Sequence, residues 1–297
     1  MKSINIKKTV LFVILTYSFS WLLAGLFYAF GGKWNSPSAF IMAIGYMFIP
    51  MIAVFIVQKA VYKEALIKPY NITFKLNVWW LVAWLLPSVI SFASMGVSLG
   101  FRDVSYSADL AGLVERFKTV LTPEQITQME LETAQARIHP LILSLIQGLA
   151  VGPTINAVAG FGEELGWRGF LQKELNAMGF YRSSIVTGAI WGLWHAPIIL
   201  QGHNYPEHPI IGVFMMIVWC ILLAPIFSYV RMKSKSVIAA AIIHGSLNST
   251  AGLAIMVVKG GNDLLIGVTG FAGFIVLTAL NALLFLHNRF LSKDPIN

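Results

Sequence analysis

A single cysteine in 297 residues, Cys220, excludes both a disulfide framework and a thiolate metal cluster. It lies in an apolar run and reads as packing. Charge is almost as scarce: Asp, Glu, Lys and Arg make up 11% of the chain, against about 25% in soluble domains, which excludes a water-soluble globular fold. His-Glu-x-x-His, the helix-borne zinc signature, is missing. So is any internal repeat of the kind that marks many transporters, and no shift in composition separates a second domain.

What fills the chain is apolar sequence, 57% of all residues. At about 20 residues per spanning helix there is room for roughly eight spans and one sizeable loop. The expected fold is therefore all-α, a single polytopic membrane domain over 1–297. Apolar runs occupy about Thr9 to Phe30, Ala39 to Val57, Val78 to Gly100, Pro140 to Gly162, Ser183 to Leu200, Pro209 to Val230, Val237 to Val258 and Leu264 to Leu286. The first is longer than a signal-peptide core and lacks a small-x-small cleavage site, so it counts as a span.

The net charge of +8 is scattered between these runs, which speaks for membrane topology and against a nucleic-acid partner. With the N-terminus inside, 15 of the 21 Lys and Arg residues fall on the inner side and 6 on the outer. Both termini are therefore expected in the cytoplasm, in a bacterial or archaeal plasma membrane. The long loop, about 101–139, is then external. Two helices are expected in it, one around Ala108 to Val120 and one opening at Thr122-Pro123 with Gln125 in the capping-box position. The loop reads as a solvated spacer.

Against this background the stretch Phe161 to Leu175, FGEELGWRGFLQKEL, stands out. Ionisable groups in hydrocarbon cost roughly 2.5 to 3.5 kcal/mol each on insertion scales, and three fall within six residues. Glu164 and Arg168 are four apart and share a helix face, where a carboxylate meets a guanidinium one turn on. Glu163 points elsewhere, with no cation on its face, and is the candidate general base. The competing reading makes all three a charged cap where a helix leaves the bilayer. Leu165 to Leu171 stay largely apolar, so a helix continuing to about Leu175 would let Arg168 and Lys173 snorkel while the glutamates lie deeper.

Two further islands of polar residues follow. The fifth run holds WGLWH, ending at His195, and the seventh holds HGSLN, in which His244 and Asn248 share one helix face. Taken singly, each histidine reads as a helix-helix hydrogen-bonding residue. Gly162 with Gly166, and Gly188 with Gly192, give the spacing that permits close helix approach. Counted from the inner helix ends, His244 lies about seven residues or ~10 Å deep and His195 about twelve residues or ~18 Å deep. Tilt, a re-entrant segment or an earlier start to the fifth span must close that mismatch if the two are to meet.

Together, Glu163-Glu164-x-x-x-Arg168, the aromatic-x-x-x-His ending at His195, and His244-x-x-x-Asn248 resemble the CAAX protease and bacteriocin-processing family of intramembrane endopeptidases, which includes the type II CAAX-prenyl proteases. The resemblance covers a motif-bearing core of about 140–286. One departure is Trp191, where the family's second motif usually has Phe. The resemblance implies that Glu163 and His195 activate a water for attack on a peptide carbonyl, and that His244 and Asn248 stabilise the oxyanion. Arg168 would hold Glu164. The substrate it implies is a membrane-associated peptide or protein, a CAAX-type prenylated tail or a small peptide, met within the lipid bilayer.

No cofactor is required on this reading. The alternative is one divalent metal, zinc, held by Glu163, His195 and His244, since two histidines and a glutamate form a common three-ligand set with an open position for water. Two other functions remain: a catalytically silent scaffold or bacteriocin-immunity protein of the same family, and a proton-coupled transporter built on the same Glu and His residues.

Overall fold

In hydrocarbon a chain must satisfy its own backbone polar groups, and the apolar runs do so as helices. The computed structural model describes residues 4–34, 36–117 and 123–296. Helices α1 (Ile6–Ala29), α2 (Pro37–Phe55, extended by a wide π turn at Ile56–Val61) and α3 (Val78–Ser98) come first. A two-residue strand, β1 (Ser105–Tyr106), opens the long loop, which also carries α4 (Ala111–Phe117) and α5 (Pro123–Gln135). The expected end of its first helix at Val120 and the Thr122 cap lie outside the described residues, as does the Gln125 side chain.

The motif helix follows as one run over Pro140–Glu174: α6 (Pro140–Val151), a π turn at Gly152–Asn156, α7 (Ala157–Glu164), a second π turn at Leu165–Leu171, and α8 (Gln172–Glu174). It does continue past the glutamates. Its first wide turn has a local cause. Pro153 has no N–H for the carbonyl of Leu149, and the Trp84 indole takes that carbonyl instead at 2.8 Å.

Next are α9 (Phe180–Trp194), α10 (Ala196–Ile199), α11 (Pro209–Ser234), α12 (Val237–Thr250), α13 (Leu253–Met256), strand β2 (Val258–Lys259) and α14 (Phe271–Leu286, with a final π turn at His287–Leu291). Among the described residues seven helices are long and apolar enough to cross a membrane. The eighth run is α9, only 15 residues long because Pro197 ends it: proline at that position cannot bond the carbonyl of Leu193 and clashes with it. The helix expected over Ser183 to Leu200 is therefore broken at His195.

The helices are sided for lipid rather than for water. In α1 the buried stripe runs Phe12, Thr16, Ser20 and Ala24, four apart, while Val10, Ile14, Leu22 and Leu26 face outward. Small and polar residues, Thr16, Ser20 and Ala24 among them, share the interfaces with large apolar ones and let helices approach where lipid tails solvate leucine as well as protein does.

Contacts sort the loops onto two ends of the bundle. At one end Lys8 pairs with Glu64 at 2.8 Å and with Glu174 at 3.3 Å, Ser236 bonds the carbonyl of Thr73, and Lys233 bonds Ser292. The Lys8 hydrogen bond holds the Glu64 carboxyl below the usual carboxylate range. At the other end β1 pairs antiparallel with β2, His208 bonds Asp263 at 2.6 Å, and Trp34 lies over His203 with ring centroids 4.6 Å apart. Burial holds His203 down to about 4, so it is neutral at pH 7. The two terminal segments share the first end, as an even number of crossings requires.

Glycine brings the motif helices together. A Cβ on Gly188 would stand 2.6 Å from the carbonyl oxygen of Cys220, and one on Gly192 would stand 2.5 Å from the Cα of Ile217, so this pair seats α9 on α11. Gly162 and Gly166 do the same against Met47 and Pro50 of α2. Gly192→Ala is expected to lower the thermal unfolding midpoint, because the atom it meets is backbone and the overpacking costs roughly 1–3 kcal/mol. Gly96→Ala, where nothing lies within 4 Å, is the control and should raise it by helix propensity alone. Equal effects of the two in a detergent melt would show that close approach does not govern this packing.

Candidate active site

The site is assembled from α7, α9 and α12. Glu163 and Glu164 close α7, and Arg168 sits one turn on in the wide turn that follows. Arg168 donates to Glu164 Oε1 at 3.0 Å, the i, i+4 pair expected from spacing, and both side chains are 0% exposed. A charged cap at a bilayer surface would be solvated, so that reading is corrected. The guanidinium is covered by aromatic faces, 4.4 Å from the Trp191 ring centroid and 5.0 Å from that of Phe227.

Glu164 Oε1 also accepts from His244 Nδ1 at 2.8 Å. A carboxylate paired with arginine can only accept, so Nδ1 carries a proton and Nε2 is the nitrogen left to work. That Nε2 faces Glu163 Oε1 across 3.7 Å, beyond hydrogen-bond length. The other oxygen of Glu163 is occupied: Oε2 accepts from the Trp191 indole at 2.8 Å and from the Trp167 indole at 3.2 Å. Glu163 is buried, at 3% exposure, with one oxygen tied and one turned toward an imidazole.

His195 owes its place to the broken helix. Its backbone N–H bonds back to Gly192, which frees the carbonyl of Trp191, and the His195 ring takes that carbonyl through Nδ1 at 2.8 Å. A carbonyl only accepts, so Nδ1 is protonated and Nε2 is free. The break also frees the carbonyl of Trp194, which Tyr46 and Trp21 satisfy at 2.7 and 3.2 Å. Helices α1 and α2 thus cap the end of α9 and hold His195 still.

Both histidines pack on Trp191, with ring centroids 5.9 Å away for His195 and 5.6 Å for His244. The depth mismatch counted along the helices does not keep them apart, and α9 begins at Phe180, three residues before the expected start. Asn248 lies one turn beyond His244 on α12 and is exposed. Sequence reasoning missed three contacts: the two indole donors to Glu163, and the bond from His244 to Glu164. Helix spacing gave Glu163 no cation on its own face, and the fold brings His244 to it from α12. The Ala196-Pro197 pair after WGLWH was the available signal for the helix end.

As for a metal, the donors do not close on one point. With Glu163 Oε1 and His244 Nε2 taken as ligands, His195 brings no ring nitrogen within 4.8 Å of both, whereas Glu207, His208 and Asp263 at the far end do form such a group. Glu163, His195 and His244 in this arrangement do not fit a single zinc ion with ligands at about 2.0–2.2 Å.

The chain is a polytopic helical membrane protein with a buried Glu-Glu-Arg cluster, one imidazole bonded to that cluster from α12 and a second packed on the same tryptophan from the end of α9. Residues 144–250, which carry all three motifs, match the family described as type II CAAX prenyl endopeptidase Rce1-like. The chain is also similar to CAAX prenyl protease 2 of Methanococcus maripaludis, 31% identical over 96 residues. That match covers 29% of this chain and about a third of the relative, 34%. The segment with the site is therefore similar to the CAAX prenyl proteases.

Proposed function

We propose that this protein is an intramembrane endopeptidase that hydrolyses peptide bonds in membrane-associated substrates, CAAX-type prenylated tails foremost, through a water activated by Glu163 and His195. The observation that carries this reading is the state of Glu163: buried, with Oε2 tied by two indoles and Oε1 untied beside His244. A carboxylate held so, in a site walled by tryptophan and phenylalanine, is prepared to take a proton from water. His195, through its free Nε2, is the second proton-handling group. His244, steered by Glu164 and donating through Nε2 in its doubly protonated form, and the amide of Asn248, one turn on along α12, supply donors to the oxyanion, and Arg168 fixes Glu164.

An apolar groove between α3, α11 and α14 supports a prenylated substrate. Trp79, Leu86, Ile226, Tyr229, Leu280 and Leu283 line it. Phe227, next in sequence to Ile226, packs on His244 at 6.0 Å, so one stretch of α11 borders both groove and site. The end of the bundle that holds the termini faces the cytoplasm on this reading, as the charge split suggests.

The test is cleavage of a fluorescence-quenched farnesylated C-terminal peptide by purified protein in liposomes, with and without chelator. Cleavage that survives the chelator is expected. Loss of cleavage on chelation would overturn the metal-free mechanism. No cleavage, together with saturable binding of a membrane protein, would favour the scaffold.

A further inference from the structure

Trp191 touches both water-activating residues through different atoms. Its indole N–H donates to Glu163 Oε2 at 2.8 Å, and its carbonyl accepts from His195 Nδ1 at 2.8 Å. Its ring lies under the Arg168 guanidinium at 4.4 Å, and the residue is 2% exposed. On the far side Gly188 and Gly192 lock its helix to α11, which fixes the backbone from which the indole reaches Glu163.

We propose that Trp191 is a positioning residue that sets both halves of the catalytic pair at once: its side chain decides which oxygen of Glu163 stays free, and its backbone decides which nitrogen of His195 stays free. This rests on the reading of Glu163 and His195 as the pair that activates water. Two carboxylate oxygens are equivalent in isolation, and a buried carboxylate without fixed donors would sample rotamers that present either one. With Oε2 held by Trp191 and, at the longer 3.2 Å, by Trp167, the oxygen facing His244 is always Oε1. The neutral imidazole of His195 has two tautomers in the same way, and the carbonyl of Trp191 admits only the one with Nδ1 protonated. Phenylalanine at this position keeps the ring, the cover over Arg168 and the carbonyl. It lacks the N–H and the volume of the second ring.

Trp191→Phe removes the tether with part of the packing, and the indole signal in Glu163→Gln, where the packing is kept, separates the two. With the farnesylated peptide as probe, kcat is expected to fall roughly tenfold to a hundredfold, the effect of losing a hydrogen bond to a charged group, while KM stays within about twofold. The thermal midpoint should fall, because the buried Glu163 loses one of its two donors and the core loses part of a ring. The tether is read without turnover from the indole 15N–1H resonances of the nine tryptophans. Glu163→Gln should move two of them, those that vanish in Trp191→Phe and Trp167→Phe. An unchanged Trp191 resonance in Glu163→Gln, or unchanged kcat in Trp191→Phe, overturns the proposal. If the unaltered protein cuts nothing, the protease reading falls, and the resonance shift still decides whether Trp191 holds Glu163.

Discussion

Glu163→Gln is expected to abolish measurable cleavage of the farnesylated peptide, a loss of about 10²–10⁴ in kcat or more, in a protein that remains folded. Glutamine fills the same volume and its carbonyl oxygen can still accept from the Trp167 and Trp191 indoles, so the walls of the site have no reason to move. What it cannot do is take a proton. KM should change little, because the side chain meets water rather than the body of the substrate. Full activity in Glu163→Gln would remove this carboxylate from the mechanism and leave Glu164, which arginine and histidine already occupy, as an implausible substitute.

The second large effect concerns stability. Arg168→Met is expected to cost about 3–5 kcal/mol, the range seen when one partner of a buried ion pair is removed, because Glu164 then stays buried at 0% exposure with only His244 to oppose its charge. Methionine fills the space between the Trp191 and Phe227 rings, so lost packing contributes little. The double substitution Glu164→Gln with Arg168→Met should be more stable than Arg168→Met alone, since the glutamine oxygen can still accept from His244 Nδ1 and no charge remains unopposed. Chemical denaturation in detergent checks the order. If the effects of Glu164→Gln and Arg168→Met simply add, the two residues are not coupled as drawn.

Much of this was legible in sequence because a membrane leaves few choices. A run of about 20 apolar residues can only be a helix there, so the hydropathy runs and the helices nearly coincide. The pairing of Glu164 with Arg168 was legible for a similar reason, since a spacing of four needs no tertiary information. The hold on Glu163 was not. Trp167 is four residues on and reaches it along one helix, yet the shorter bond comes from Trp191, 28 residues away, and depends on how α9 is seated by glycines on α11. The His244 bond to Glu164 spans 80 residues and depends on the approach of α12 to α7. There a Cβ on Gly160 would meet the carbonyl of Ala241 at 2.9 Å. Periodicity places side chains on faces; it does not say which faces meet. The wide turns at Gly152–Asn156 and Leu165–Leu171 also escaped it, because each adds a residue to a turn without changing hydropathy.

The untied oxygen assigned to the Glu163 base depends on Glu163 and His244 facing each other across helices that are distant in sequence. A carbon-nitrogen dipolar distance between the Glu163 carboxyl carbon and His244 Nε2, measured by solid-state NMR on selectively labelled protein in lipid, reads this directly. A coupling consistent with the 3.7 Å approach of Oε1 to Nε2 is expected. No detectable coupling, in a sample where the Glu164 to His244 Nδ1 contact is seen, would contradict it.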